Sequence, residues 1–361
     1  MIDMNLIPEW ALNIHPLVVH FPVALLVVAA GLNLLTFIIP EKWWDEWKNT
    51  ILYGLGAVAA IAAYYTGQSA ADTVFLPSQA QSVLNNHADW AFWTVWYFGL
   101  YAAARIALHW YKMMDKFSLR ILAFVIALPG VFLLFQTGDH GAKLVFGYGA
   151  GTGQLLEQQS SANASATTDS LLQSNSTFKV NDNGDWSWEI GPNGVSTLLS
   201  KFQWLEGAPQ NLQPSVVKSG DNYLIQLTPE SSPNFFTVRN ALLNVQVDYY
   251  LDLSNFDGEV ELVNHVQDAQ NYDFVTLSSE GTITQGRVIG GETNIFGEES
   301  YSASGILFVR TVVNGTHFRA YINREMAVHG HGDAPETGKV GLRLNGSGTV
   351  IIDSISLTQL N

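Results

Sequence analysis

The chain has 361 residues, no cysteine, a formal net charge of −15 and only 14 % charged residues. Disulfides, thiolate metal sites, iron–sulfur clusters and c-type haem attachment are therefore excluded within it. The acidic balance argues against nucleic-acid binding, which needs a basic face. Composition divides the chain: the first half is rich in Trp, Phe, Ala and Leu, the second in Asn, Gly, Ser, Thr and Asp. A membrane half joined to a soluble half is expected. Asp3 and Glu9, with no Lys or Arg nearby, do not make the basic n-region of a cleavable signal peptide.

Four apolar segments come first, at 16–39, 50–65, 89–108 and 119–136. Three approach or exceed the roughly 20 residues that cross a bilayer. The second extends if Lys48 snorkels, and its Gly54, Gly56, Ala57 and Ala60 would admit a close neighbour. Four packed helices without a polar face predict a membrane four-helix bundle. Lys42 and Lys48 follow the first segment, and Lys112, Lys116 and Arg120 follow the third, with Arg105 just inside its end; residues 66–86 carry no Lys or Arg. The positive-inside rule then puts both termini outside the cytoplasm. Trp43, Trp44 and Trp47 would anchor one interface, Trp10 and Trp90 the other.

This orientation brings four histidines to one side: His15 and His20 in HPLVVHFP, His87 opening the third segment, and His140 after the fourth. An internal echo accompanies them. The second segment ends Tyr65-Thr66-Gly67 and the fourth Gln136-Thr137-Gly138. Two copies of a helical hairpin would set His20 and His87 facing each other, as a b-type haem between helices requires. A copper or zinc site, or hydrogen bonding across the bundle with no cofactor, would use the same groups. Asp89 and Asp139 could orient imidazoles. The Gly-rich segment 138–153 is no phosphate loop, lacking the GxxxxGK[ST] order; it is expected to cover the outer mouth of the bundle.

The run HPLVVHFPVALL, the Thr-Gly motif followed by DHGAKLVFGYGAG, and the four segments resemble a bacterial family of four-helix membrane domains of unknown function, over about residues 13–151. Members joined to Rieske-type or cytochrome-type domains imply a redox setting. This chain departs from those fusions, since its second half has no cysteine.

Residues 152–177, poor in apolar side chains and without aromatics, predict a flexible tether, with sequons at Asn163 and Asn175. From 178 to 361, short alternating runs at 223–227, 244–251, 259–265, 272–278, 307–313, 316–322, 339–344 and 349–357 are separated by turn signals such as Asp257-Gly258, Asn314-Gly315 and Asn345-Gly346. No helical periodicity competes. An all-β sandwich or jelly roll is expected. The strand–turn pattern 308–315, Tyr321-Ile322-Asn323, Gly338-Lys339-Val340-Gly341-Leu342, and Gly346 through Asp353 resembles the concanavalin-like, laminin-G-like jelly rolls, which implies that fold and leaves function open.

Catalytic signals there are weak. Glu259 and Glu261 share a strand face but lack the E-x-D-x-x-E order of sugar hydrolases of this fold. His329-Gly330-His331-Gly332-Asp333, expected as a Gly-rich loop, has metal-ligand spacing without an evident third ligand, and Asp182, Asn183 and Asp185 form a calcium-like cluster or a plain turn. Exposed aromatics could bind glycan. The expectation is a bacterial inner-membrane protein of domains 1–151 and 178–361 joined by 152–177. It carries haem b at His20 and His87, with His15 and His140 beside them. It exchanges electrons with an envelope partner and is more a carrier than an enzyme. The alternative is a non-redox anchor presenting a glycan- or protein-binding sandwich, and a third, weaker reading is a sugar-modifying enzyme.

Overall fold

The computed structural model describes residues 13–40, 42–151, 177–230, 233–302 and 304–360. The expected tether apart from Thr177, which opens a strand, both sequon asparagines and Trp10 lie outside the described residues. The chain divides into two compact units, 1–157 and 158–361, each considered by itself.

The first unit is helical. Short α1 (His15–Val18) leads into α2 (His20–Leu35), followed by α3 (Glu46–Asp72), α4 (Ser78–Trp110) and α5 (Phe117–Ala142). Pro16 sits in the first turn of α1. Pro22 offers no N–H to the carbonyl of Val18, so the helix breaks at Val19 and restarts with Pro22 in its own first turn. Asp45 caps α3, its carboxylate accepting from the Lys48 N–H at 2.9 Å. α5 runs on as one turn of π-helix to Gly147. Gly149, at φ 68°, closes it: its N–H bonds Val145 O, and the Ala150 N–H bonds Leu144 O.

Successive helices pack side by side, and α2 also meets α5, so α1/α2 and α4 lie diagonally across the bundle. Among the described residues three helices are long and apolar enough to cross a membrane: His15–Leu35, Glu46–Asp72 and Phe117–Gly147. α4 has the length, at 33 residues, but Trp, Tyr and Thr dilute its apolar run and Arg105 lies within it. The core holds Leu26, Ala29, Tyr53, Phe98, Tyr101 and Ala127, while Val27, Val58, Leu100 and Phe132 face outward. Gly56 and Gly130 let the hairpins close: a Cβ on Gly56 would stand 2.5 Å from Leu26, and one on Gly130 within 2.8 Å of Tyr97 and Phe98.

The described residues of the second unit form fourteen strands: β1 (Thr177–Val180), β2 (Trp186–Glu189), β3 (Phe202–Glu206), β4 (Ser215–Ser219), β5 (Asn222–Leu227), β6 (Asn234–Leu242), β7 (Val245–Asp268), β8 (Asn271–Ser278), β9 (Thr282–Ile289), β10 (Glu292–Ser300), β11 (Ile306–Asn314), β12 (His317–Ile322), β13 (Glu325–His331) and β14 (Gly338–Gln359). β7 and β14 pair antiparallel along most of their length and organise the rest. The first half of β7 pairs β11 and its second half β8; the first half of β14 pairs β6, and its second half β2 and β5. Each long strand thus passes from one sheet to the other, and the core of Trp188, Phe236, Tyr249, Leu262, Val309 and Ile352 fills the space between.

The bend lies where Gly258 pairs with Gly346 and Phe256 with Gly348. A Cβ on Gly258 would stand 2.3 Å from Asn345 O, and one on Gly346 2.3 Å from Asp257 O. Asp257-Gly258 and Asn345-Gly346, expected as turns between separate strands, are therefore bends inside continuous ones. Among the described residues of this unit one α-helix, α6 (Gly194–Lys201), also occurs and corrects the expectation of no helix; Leu198 anchors it in the core.

Candidate functional site

The structure brings His15, not His20, to His87. Their rings meet edge to face with centroids 6.4 Å apart, one from α1 and one from the diagonally opposite α4. His20 is exposed. The physical reason is rotation. Five residues along a helix turn the side chain through about 140°, so His15 and His20 cannot both face the interior.

Each imidazole of the pair is held by its own hairpin. Thr66 Oγ1 donates to Ala62 O (3.0 Å), so its lone pair accepts from His15 Nδ1–H at 3.2 Å. His87 Nδ1–H donates to Thr137 O at 2.9 Å. Behind the rings stand glycines: a Cβ on Gly67 would lie 3.0 Å from His15 Cε1, and one on Gly141 3.0 Å from His87 Cε1. With Nδ1 of each ring engaged, Nε2 carries the lone pair, the tautomer in which a histidine ligates metal. His140 points Nδ1 back to Gln136 O on its own helix, 2.8 Å away, and tilts against Trp90. Neither acidic neighbour orients an imidazole: Asp139 pairs with Lys143 at 2.9 Å, and Asp89 is exposed. The segment after α5 covers this end as continued helix, with Leu144 buried among Leu76, Ala80 and Leu84.

The other end of the bundle holds a second polar centre. Arg105, 1 % exposed, pairs with Glu46 at 2.5 Å and donates to Thr50 Oγ1 (3.1 Å), Asn33 Oδ1 (3.2 Å) and Tyr101 Oη (3.1 Å). Its guanidinium lies over Tyr53, 5.1 Å from the ring centre. Glu46 also accepts from Thr36 Oγ1 at 2.9 Å. The sequence offered Arg105 as a loop-end charge. The signal for its burial was its place more than one turn inside the end of a long helix, opposite the carboxylate that opens the preceding one.

In the sandwich, Glu261 is buried, while Glu259, two residues back, is exposed. Burial pushes the Glu261 carboxyl up, opposed by Arg343, which bonds both Glu261 (3.0 Å) and Glu206 (3.1 Å). Asn183 and Asp185 close a turn on each other, and Asp185 accepts from the Gln359 N–H at 2.7 Å. Trp186 and Trp188 are core residues, and among the described residues of this unit no aromatic ring is fully exposed. Partly exposed rings do occur, among them Tyr250 and Phe308, whose centres lie 5.1 Å apart.

These features define a membrane domain of packed apolar helices joined to an all-β sandwich. Residues 11–154 match the family described as "Predicted membrane protein (DUF2231)", and the helical unit carries that domain. No curated protein matches the chain. The sandwich resembles jelly-roll folds in solved structures. One is the carbohydrate binding module CBM66 from Bacillus subtilis, at 12 % identity over 43 % of this chain and 94 % of that one, with a TM-score of 0.35. Others are a Bacillus licheniformis beta-glucanase (9 %, 44 % and 92 %, TM-score 0.34) and a Bacillus subtilis protein of unknown function with a galectin-like fold (10 %, 45 % and 91 %, TM-score 0.35).

Proposed function

We propose that the helical unit is both membrane anchor and b-type haem site, with His15 and His87 as the axial ligands, and that the protein exchanges single electrons with an envelope partner. The diagonal pair carries this reading. Two imidazoles, each with Nδ1 held by its own hairpin, face each other at 6.4 Å. Two metal–nitrogen bonds of about 2 Å and the two half-rings span a distance of this order. The glycines behind the rings add to the fit, since they place backbone rather than side chain there. When bound, the haem would supply one-electron chemistry. The chain itself sets tautomer and ring orientation, and Leu144 and its neighbours limit water at that end. The basic residues at the Arg105 end support a bacterial inner membrane with the histidine end outward and both termini on the periplasmic side.

The test is the absorption spectrum of the detergent-purified protein. A low-spin bis-imidazole haem is expected, abolished by His15→Ala and by His87→Ala and kept by His20→Ala. A mononuclear copper or zinc site would appear as metal without porphyrin. A folded, colourless, metal-free preparation would sink the proposal and leave the anchor reading.

A further inference from the structure

Three histidines that the proposed function does not use meet on the sandwich. His317 opens β12, and His329 and His331 lie two apart on β13. One ligand nitrogen from each falls within 4.8 Å of the others. The rings of His317 and His331 are centred 4.9 Å apart, and those of His329 and His331 4.8 Å apart. The segment 329–333, expected as a loop lacking a third ligand, is mostly strand, and its missing ligand is His317.

The backbone builds this cluster. β12 and β13 form a hairpin whose central residues, Asn323 and Arg324, both have positive φ (50° and 72°), as a type I′ turn requires. From that turn Ile322 pairs with Glu325 and Tyr321 with Met326, but Ala320 pairs with Val328, so Ala327 is bulged out. The bulge shifts the register by one. His317 becomes the partner of His331, and both project from the same face. Without it His317 would stand opposite Gly330 and point away from both histidines. On the other face Gly330 and Gly332 lie against Phe296, where added Cβ atoms would stand 2.5 and 2.6 Å from it. The His-Gly-His-Gly alternation therefore keeps the strand close to the core on one side and sets imidazoles on the other.

We propose that His317, His329 and His331 bind a single borderline divalent cation of the zinc class, through three imidazole nitrogens with a fourth position open to solvent. Imidazole suits zinc, copper and nickel, and three protein ligands plus an open position is a common zinc arrangement. Nitrogens about 2.0–2.1 Å from one ion stand roughly 3.4 Å apart, so small side-chain rotations close the site. His331 is exposed, which leaves a way in. His317 Nδ1 is buried with no hydrogen-bond partner, an orphan that a metal would satisfy. Arg319, the cross-strand partner of His329, opposes a cation and holds the affinity below that of an uncharged surround.

The test is zinc titration by calorimetry on the full chain in detergent after chelator treatment, with cobalt absorption as a report on geometry. One equivalent per chain is expected in the native protein and in a His15→Ala/His87→Ala variant, with the tetrahedral nitrogen-ligand cobalt spectrum. His331→Ala, at an exposed position where folding is preserved, should weaken binding at least about tenfold, and His317→Gln likewise; far-UV circular dichroism checks the fold of both. An unchanged equivalent in His331→Ala, or loss of zinc only in the His15/His87 variant, would overturn the proposal. Because the two histidine groups are varied separately, failure here is distinguishable from failure of the haem reading.

Discussion

Asn33 Oδ1 accepts from Arg105 Nη1 at 3.2 Å across the bundle, and the two residues are 72 positions apart. The same interval separates His15 from His87 and Leu26 from Phe98. Residues at equivalent places in the two hairpins thus meet or share the core at three levels of the bundle, and Thr66 and Thr137 anchor the upper pair at sequence intervals of 51 and 50. The repeated hairpin is real in three dimensions, with His15 in the place expected for His20. His20 corresponds to Phe92, which is exposed as well.

The Arg105–Glu46 pair should dominate the stability of the helical unit. Removing one partner of a buried pair leaves an uncompensated charge, at a cost of about 3–5 kcal/mol. Arg105→Met and Glu46→Gln are each expected to lower the thermal midpoint in detergent strongly. The double variant should recover part of the loss. Equal and additive losses would show that the two side chains do not act as a pair.

Gly67→Ala should disturb His15 without touching either ligand directly. Its new Cβ would crowd the ring at 3.0 Å and tilt it away from Thr66. On the haem reading, cofactor retention is expected to fall about tenfold, within the range seen when outer-shell partners are lost. A haemochrome assay on purified protein measures it. Gly54→Ala, which meets nothing within 4 Å, is the control and should behave as native.

The bend of the sandwich admits only glycine. Gly346→Ala would drive a Cβ to 2.3 Å from Asp257 O, and the paired strands β7 and β14 must part to accept it. A loss of about 2–4 kcal/mol is expected in chemical denaturation. Gly315→Ala is strained by its φ of 60° but open in space, and should cost less.

Asp353 gives a pH dependence of defined sign. Burial pushes its carboxyl pKa up, Glu189 adds to the shift, and Ser354 opposes it. The folded state then binds the proton more tightly than the unfolded chain, so stability falls as pH rises from the ordinary carboxylate value through the raised one. Asp353→Asn should remove that slope. Denaturation midpoints from pH 3 to 7 should converge at the acid end, with the variant the more stable at the neutral end.

Much was legible in the chain before folding. Uninterrupted apolar runs with almost no polar face placed the helices, and alternating runs broken by Gly, Asn and Asp placed most of the sandwich strands, because burial in each case follows a local period. The Thr-Gly echo disclosed the hairpin repeat. Partner choice was not legible. Which histidine faces inward depends on helix rotation about its axis, and an apolar helix surrounded by lipid carries little pattern to fix that angle. Arg105 looked like a loop charge because nothing local showed Glu46, Thr50 and Asn33 gathered around it. In the sandwich, the sequence set His329 and His331 two apart, as metal ligands are spaced, in what read as a loop. Only the bulge at Ala327, a register shift of one residue, decided that His317 joins them, since pairing register is set by the turn and the packing around both strands rather than by either strand alone.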